Sequence, residues 1–232
     1  IMNSAGGTEV SGSILHCCLH RPFKVGSFNA PIPGMSADIL TLDGKKVSTD
    51  EMGELVMRKS SIGLTKSLWN DDDRYIKNYW SIIKDFWVHG DLASKDKDGH
   101  WFLHGRSDDT IKVSGKRIGP SELESVIVKS GKAKEVAAVG IPDENKGSKI
   151  ILSIVLLENS EEKESYFENL VINDLGKSFK PDKIIFVKDL PKTRNMKIMR
   201  RVIKSCLAKE DPGDISTLLN PESVEEIRAH AI

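Results

Sequence analysis

The sequence predicts an α/β and α+β protein in two parts, a β-rich first part followed by a small α+β lobe. Two observations carry that reading. Up to about residue 105, short apolar runs alternate with turn residues, the rhythm of strands in a sheet or barrel. From about Thr110 onward, strand and helix periods alternate in a smaller unit. The length of 232 residues and 39% apolar content suffice for two ordinary cores.

In the first part, strands are expected at SILHCCL, SADILTLDG, GELVMRK and WFLHG, with Asp43-Gly44 and Asp98-Gly99 as hairpin turns. Between them WNDDDRYIKNYWSI spaces Tyr75, Tyr79 and Trp80 as a short amphipathic helix, whose aromatics read as packing. In the second part TIKVSGKRI reads as a tight hairpin. A capping box over Ser121, Glu122, Leu123 and Glu124, with Pro120 ahead, opens a helix whose Leu123, Val126 and Ile127 share a face. Strands EVAAVGI and KIILSIVLL follow. A helix over residues 161–175 ends at Gly176, KIIFVKDL is a further strand, and IMRRVIKSCLA a last helix. The divisions are 1–107, 108–208 and a tail at 209–232, in which Val224 to Ile227 form a short helix.

Composition excludes several function classes. Lysine plus arginine and aspartate plus glutamate both number 34, so no global field favours nucleic acid or an anionic membrane. No run reaches the roughly 18 apolar residues of a membrane span, and IMNSAGGTEV lacks the features of a signal peptide. The expected compartment is the cytoplasm. Cys17, Cys18 and Cys206 make no disulfide framework. His16, Cys17, Cys18 and His20 lie in an extended run whose neighbours point to opposite faces, which favours a buried strand over a metal site.

Two segments carry chemistry: GDLASKDKDGHWFLHGRSDDTIKVSGKRIGPSELE from Gly90 to Glu124, and PKTRNMKIMRR from Pro191 to Arg201. Together they resemble the AMP-forming acyl-CoA synthetases of the adenylate-forming superfamily, on the acetyl-CoA synthetase branch. The resemblance implies that the first part is the β-rich end of a large adenylation domain and the second a small mobile lobe. It also implies that the phosphate loop lies in a missing N-terminal part, so that this stretch alone does not turn over. ATP, Mg and coenzyme A are the implied cofactors, and a small-molecule carboxylate the implied substrate, for an acid-thiol ligase.

The resemblance assigns roles residue by residue. Thr8 would touch a phosphate oxygen and Glu9 would help hold Mg. Gly6 stands where acetyl-CoA synthetases carry a tryptophan that closes the acyl pocket, implying an acyl group longer than acetate unless the glycine serves only the backbone. Asp91 would accept hydrogen bonds from both ribose hydroxyls, a task suited to two acceptor oxygens. Arg106 would supply a fixed charge to phosphate or ribose oxygens. Asp108 would be the hinge, Gly115 would let the pantetheine arm pass, and Ser114 and Arg117 would sit near CoA or AMP phosphates. Lys197 would reach both the attacking carboxylate and the α-phosphate.

The sequence departs from the family at Asn195-Met196, where serine-glycine is usual before the lysine. It departs again at Ile172 or Asn173, where a basic CoA contact is expected. Three alternatives stay open: another adenylate-forming ligase or adenylation domain, a non-catalytic nucleotide- or CoA-binding module, and a nucleic-acid patch. The last would be built from Lys192, Arg194, Lys197, Arg200, Arg201 and Lys204, against which neutral charge and the lack of interleaved aromatics count.

Overall fold

The computed structural model describes residues 2–232, and the chain divides into two compact units between Asp108 and Asp109.

The first unit contains two antiparallel sheets. Strands β1 (Ser4–Gly7), β2 (Gly12–His16) and β3 (Ala30–Pro31) form one, and β4 (Ala37–Leu40), β5 (Gly53–Met57), β6 (Trp87–Lys95) and β7 (Trp101–Arg106) form the other in that order. Ile14, Leu15, Leu55, Met57 and Trp87 fill the core. The turns expected at Asp43-Gly44 and Asp98-Gly99 are present, each with its glycine in the left-handed region (φ 79° and 87°). In the second turn Asp96 Oδ1 accepts the N–H groups of Asp98 (3.0 Å) and His100 (2.8 Å), which fixes the β6–β7 connection.

Strand β6 is not among the strands expected from the sequence. Gly90 and Asp91 interrupt its alternation, because Gly90 takes φ 83° and the register with β7 shifts between Asp91 and Ala93. The helix expected around Tyr75 is short: α1 (Asp72–Tyr75) starts at Asp71, whose Oδ1 accepts Arg74 N–H at 3.2 Å, and passes into a π turn over Ile76–Trp80.

The second unit starts with the hairpin β8 (Ile111–Val113) and β9 (Lys116–Ile118), then α2 (Pro120–Lys129). A three-stranded sheet follows: β10 (Ala133–Asp143) antiparallel to β11 (Gly147–Leu156), and β11 parallel to β12 (Lys183–Phe186), with α3 (Glu164–Leu175) making the crossover. Alternation sorts the sheet into two faces. Val136, Ala138, Ile150, Leu152, Ile154 and Ile184 pack with α2 and α3. Ala137, Val139, Ile151, Val155 and Ile185 pack with α4 (Arg200–Leu207) and α5 (Glu222–Arg228).

One sequence expectation is corrected. The N-cap of α2 is Gly119, not Ser121, so Pro120 is the first helical residue and Glu122 sits at the third helical position, with its Oε1 accepting Gly119 N–H at 3.0 Å. Glu124 is thereby released for other bonds: its carboxylate takes Ala138 N–H (2.9 Å) and the Arg200 guanidinium (2.6 and 2.9 Å). Residues 209–232 join the second unit's core through Leu218, Val224 and Ile227. Arg201 ties this stretch down by donating to the carbonyls of Pro212 and Asp214, the latter at 3.0 Å.

Candidate functional site

The β6–β7 end of the first unit gathers several of the residues singled out in the sequence. Arg106, the last residue of β7, donates through Nη1 to the His89 carbonyl (3.1 Å) and through Nε to Asp108 (3.1 Å), and its Nη1 lies 3.5 Å from Asp91 Oδ1. The other Asp91 oxygen lies 3.3 Å from His89 Nε2. The β6 bulge makes this possible, because Gly90 has no side chain to occupy the space the guanidinium fills. Beside these groups is a cleft of about 440 Å³ lined by Glu54, Asn78, Tyr79, His89, Arg106 and Asp108, among others.

Sequence reading missed three members of this cleft. Glu54 is a buried carboxyl on β5; burial pushes it above the usual glutamate range, although a hydrogen bond from Ser107 and the Arg106 charge pull the other way. Among the described residues its Oε2 has no hydrogen-bond partner. The available signal was a charged residue inside the otherwise apolar GELVM strand. Tyr79, read as packing, stacks on Trp87 (centroids 5.4 Å apart) and donates its hydroxyl to Glu9 Oε1 at 3.0 Å. Burial, then the Glu9 carboxylate, raise the phenol's pKa. His89 gave no periodic signal.

Thr8 is exposed and opens a 3-10 turn, Thr8–Val10, with Glu9 half-buried behind it. One Glu9 oxygen is fixed by Tyr79, and the carboxylate is of the oxygen-donor type that a hard cation takes. Gly6, on β1, lies close against β2. A Cβ there would run into the Gly12 carbonyl oxygen and stand 2.5 Å from Ser13 Cα, where β1 and β2 cross a register shift. The close approach of β2 accounts for glycine at this position.

In the second unit, Ser114 (φ 49°) and Gly115 (φ 79°) form the two-residue tip of the β8–β9 hairpin. A Cβ on Gly115 would have nothing within 4 Å, so the tip is open, and Arg117 is exposed beside it. Lys197 lies on a second tight turn. Thr193 N–H donates to the Lys197 carbonyl (2.9 Å), and Lys197 N–H donates to Thr193 Oγ1 (3.2 Å). Met196 closes the turn at φ 61°, a conformation easier for the glycine usual there. The Lys197 side chain is exposed and, among the described residues, makes no hydrogen bond or ion pair.

The six basic residues from 192 to 204 do not act as one patch. Lys192 is buried and paired with Glu135 (2.8 Å) and Asp189 (2.7 Å), Arg200 is paired with Glu124, and Arg201 holds backbone carbonyls. Asp96, Asp98 and His100 bring potential metal ligands together. Asp96, however, is saturated by two N–H groups and the Lys24 ammonium at 2.6 Å.

Residues 122–197 match the AMP-binding enzyme C-terminal domain. The chain is 41% identical over 227 residues to the acetyl-coenzyme A synthetase of Methanothrix thermoacetophila, covering 95% of this chain and 34% of that protein. It is 39% identical over 215 residues to that of Pasteurella multocida, covering 88% and 33%. The chain thus spans about a third of the length of the curated relatives it matches. Among solved structures, acetoacetyl-CoA synthetase from Streptomyces lividans superposes with a TM-score of 0.86 at 22% identity, over 98% of this chain and 35% of that one. An anthranilate CoA ligase in complex with anthranoyl-AMP gives 0.74 at 26% identity, over 88% and 39%. Among the described residues, no helix is long and apolar enough to cross a membrane.

Proposed function

We propose that this chain is part of an AMP-forming acyl-CoA synthetase of the adenylate-forming superfamily, a reading supported by the match of residues 122–197 to the AMP-binding enzyme C-terminal domain and by 41% identity to an acetyl-coenzyme A synthetase, and that the protein it is part of joins a small carboxylic acid to coenzyme A in two half-reactions. In the first, a carboxylate oxygen attacks the α-phosphorus of ATP, the bond to the bridging oxygen breaks, and pyrophosphate leaves. In the second, the CoA thiolate attacks the acyl carbon and AMP departs with the electron pair.

Lys197 serves the first step. Two anions must approach each other, and a lone ammonium between them stabilises the transition state more than either ground state. An exposed Lys197 on an internally bonded turn is the observation that carries this reading. Asp91 takes the ribose hydroxyls, and Arg106, held against the His89 carbonyl, supplies charge beside them. Thr8 contacts a phosphate oxygen. Magnesium bound with ATP would spread charge away from the phosphoryl oxygens, and Glu9 would be its ligand from this chain.

For the second step the Ser114-Gly115 tip lies along the CoA arm, Arg117 sits near phosphate, and Asp108 acts as the hinge between the two parts. These assignments rest on the motif match and on the openness of that tip. The close packing at Gly6 weakens the case for an acyl group longer than acetate.

Carboxylate-dependent exchange of labelled pyrophosphate into ATP by the complete ligase tests the reading, with acetate and butyrate as competing substrates. Exchange with either acid is expected. Absence of exchange with every small carboxylate would overturn it, and butyrate clearly outpacing acetate would revive the open pocket at Gly6.

A further inference from the structure

The turn that carries Lys197 does not stand alone: the stretch after α4 forms part of its base. Lys192 and Ile198 pair across the stem, and on the outer side Thr193 pairs with Leu218 while Leu219 N–H donates to the Lys192 carbonyl at 2.8 Å. Asn220, buried, completes the arrangement. Its Oδ1 accepts Lys192 N–H (3.0 Å), and its Nδ2 donates to Asp189 Oδ2 (2.7 Å) and to the Leu190 carbonyl (2.8 Å). The Lys192 ammonium lies between Glu135 and Asp189, and Asp189 is shared with Asn220.

We infer that Asn220, with Leu218 and Leu219, is a positioning element that fixes the direction in which Lys197 is presented. The inference rests on the role of Lys197 proposed above. A buried side-chain amide with three backbone or carboxylate partners is a rigid connector, since losing it leaves the Lys192 N–H and the Leu190 carbonyl unsatisfied inside the protein. Core residues Val224 and Ile227 hold the stretch against the sheet but touch neither strand of the stem by hydrogen bond, so packing and positioning can be separated.

The test compares Asn220→Ala with Val224→Ala, which weakens the same stretch through packing alone. Hydrogen exchange on the 232-residue chain reads the turn directly. With Asn220→Ala the amides of Thr193 and Met196 are expected to exchange about tenfold faster, the scale of one to two lost buried hydrogen bonds, while the β10–β11 amides stay unchanged. Val224→Ala is expected to give no such selective loss. In the complete ligase, Asn220→Ala is expected to lower kcat for acyl-AMP formation with little change in KM for ATP, and to leave thioester formation from supplied acyl-AMP intact. Unchanged exchange at the turn would overturn the inference and leave the role of Lys197 standing. So would a looser turn with full adenylation, provided Lys197→Ala abolishes that step. Full adenylation in Lys197→Ala would overturn both.

Discussion

Arg106 lies in the space that a side chain at Gly90 would occupy: a Cβ there would stand 2.7 Å from the Arg106 Nη2. The bulge in β6 is therefore the feature that lets the guanidinium reach the His89 carbonyl and lie beside Asp91.

Replacing Gly90 by alanine is expected to cost about 2 kcal/mol or more, part from a side chain at φ 83° and part from displacing Arg106. Gly99→Ala is the comparison, because its φ of 87° carries the backbone cost while its nearest neighbour is the flexible Lys95 Cε at 3.8 Å. Urea unfolding of both variants measures the difference. Equal losses would mean that the Arg106 contact contributes nothing.

Gly6→Ala is expected to lose more than about 2 kcal/mol, since the new methyl group would collide with the backbone of β2 rather than with a movable side chain. The same unfolding measurement checks it. Full tolerance of alanine would mean that the strands part easily.

Glu54 gives a pH signature. Burial holds its folded-state pKa above the ordinary 4.5, so the folded chain binds that proton more tightly than the unfolded chain does. The ionised carboxylate therefore costs stability at neutral pH, and the cost fades as pH falls through the raised folded value towards 4.5. Glu54→Gln is expected to raise the urea midpoint at pH 7 and to lose that advantage by about pH 4.5. A midpoint lowered equally at both pH values would mean that the carboxylate is needed as an ionised partner of Ser107 and Arg106.

Much of the fold was legible because local rules governed it. Ser114-Gly115 and Asp98-Gly99 sit in hairpin turns whose backbone suits those residues, and the alternation in KIILSIVLL sorts its side chains onto two covered faces. What stayed hidden depended on partners distant in sequence. Strand β6 was masked by a bulge serving Arg106, and the N-cap of α2 lies two residues early, which leaves Glu124 to bond Arg200, 76 positions away. Residues 209–232 look polar and loosely patterned, yet Asn220 joins residues 189, 190 and 192. Among the site residues, Asp91 and Arg106 pair across β6 and β7 with their charges 3.5 Å apart. Glu54 and Tyr79 were read as strand and packing, since nothing in a linear pattern tells that a buried carboxyl or phenol faces a cleft.

The most direct measurement separates the two half-reactions of the complete ligase after Lys197→Ala. A loss of roughly 100-fold or more in acyl-AMP formation is expected, the scale for removing a charge aimed at the transition state, with thioester formation from supplied acyl-AMP largely retained. Acyl-AMP formation at the unmodified rate would contradict it.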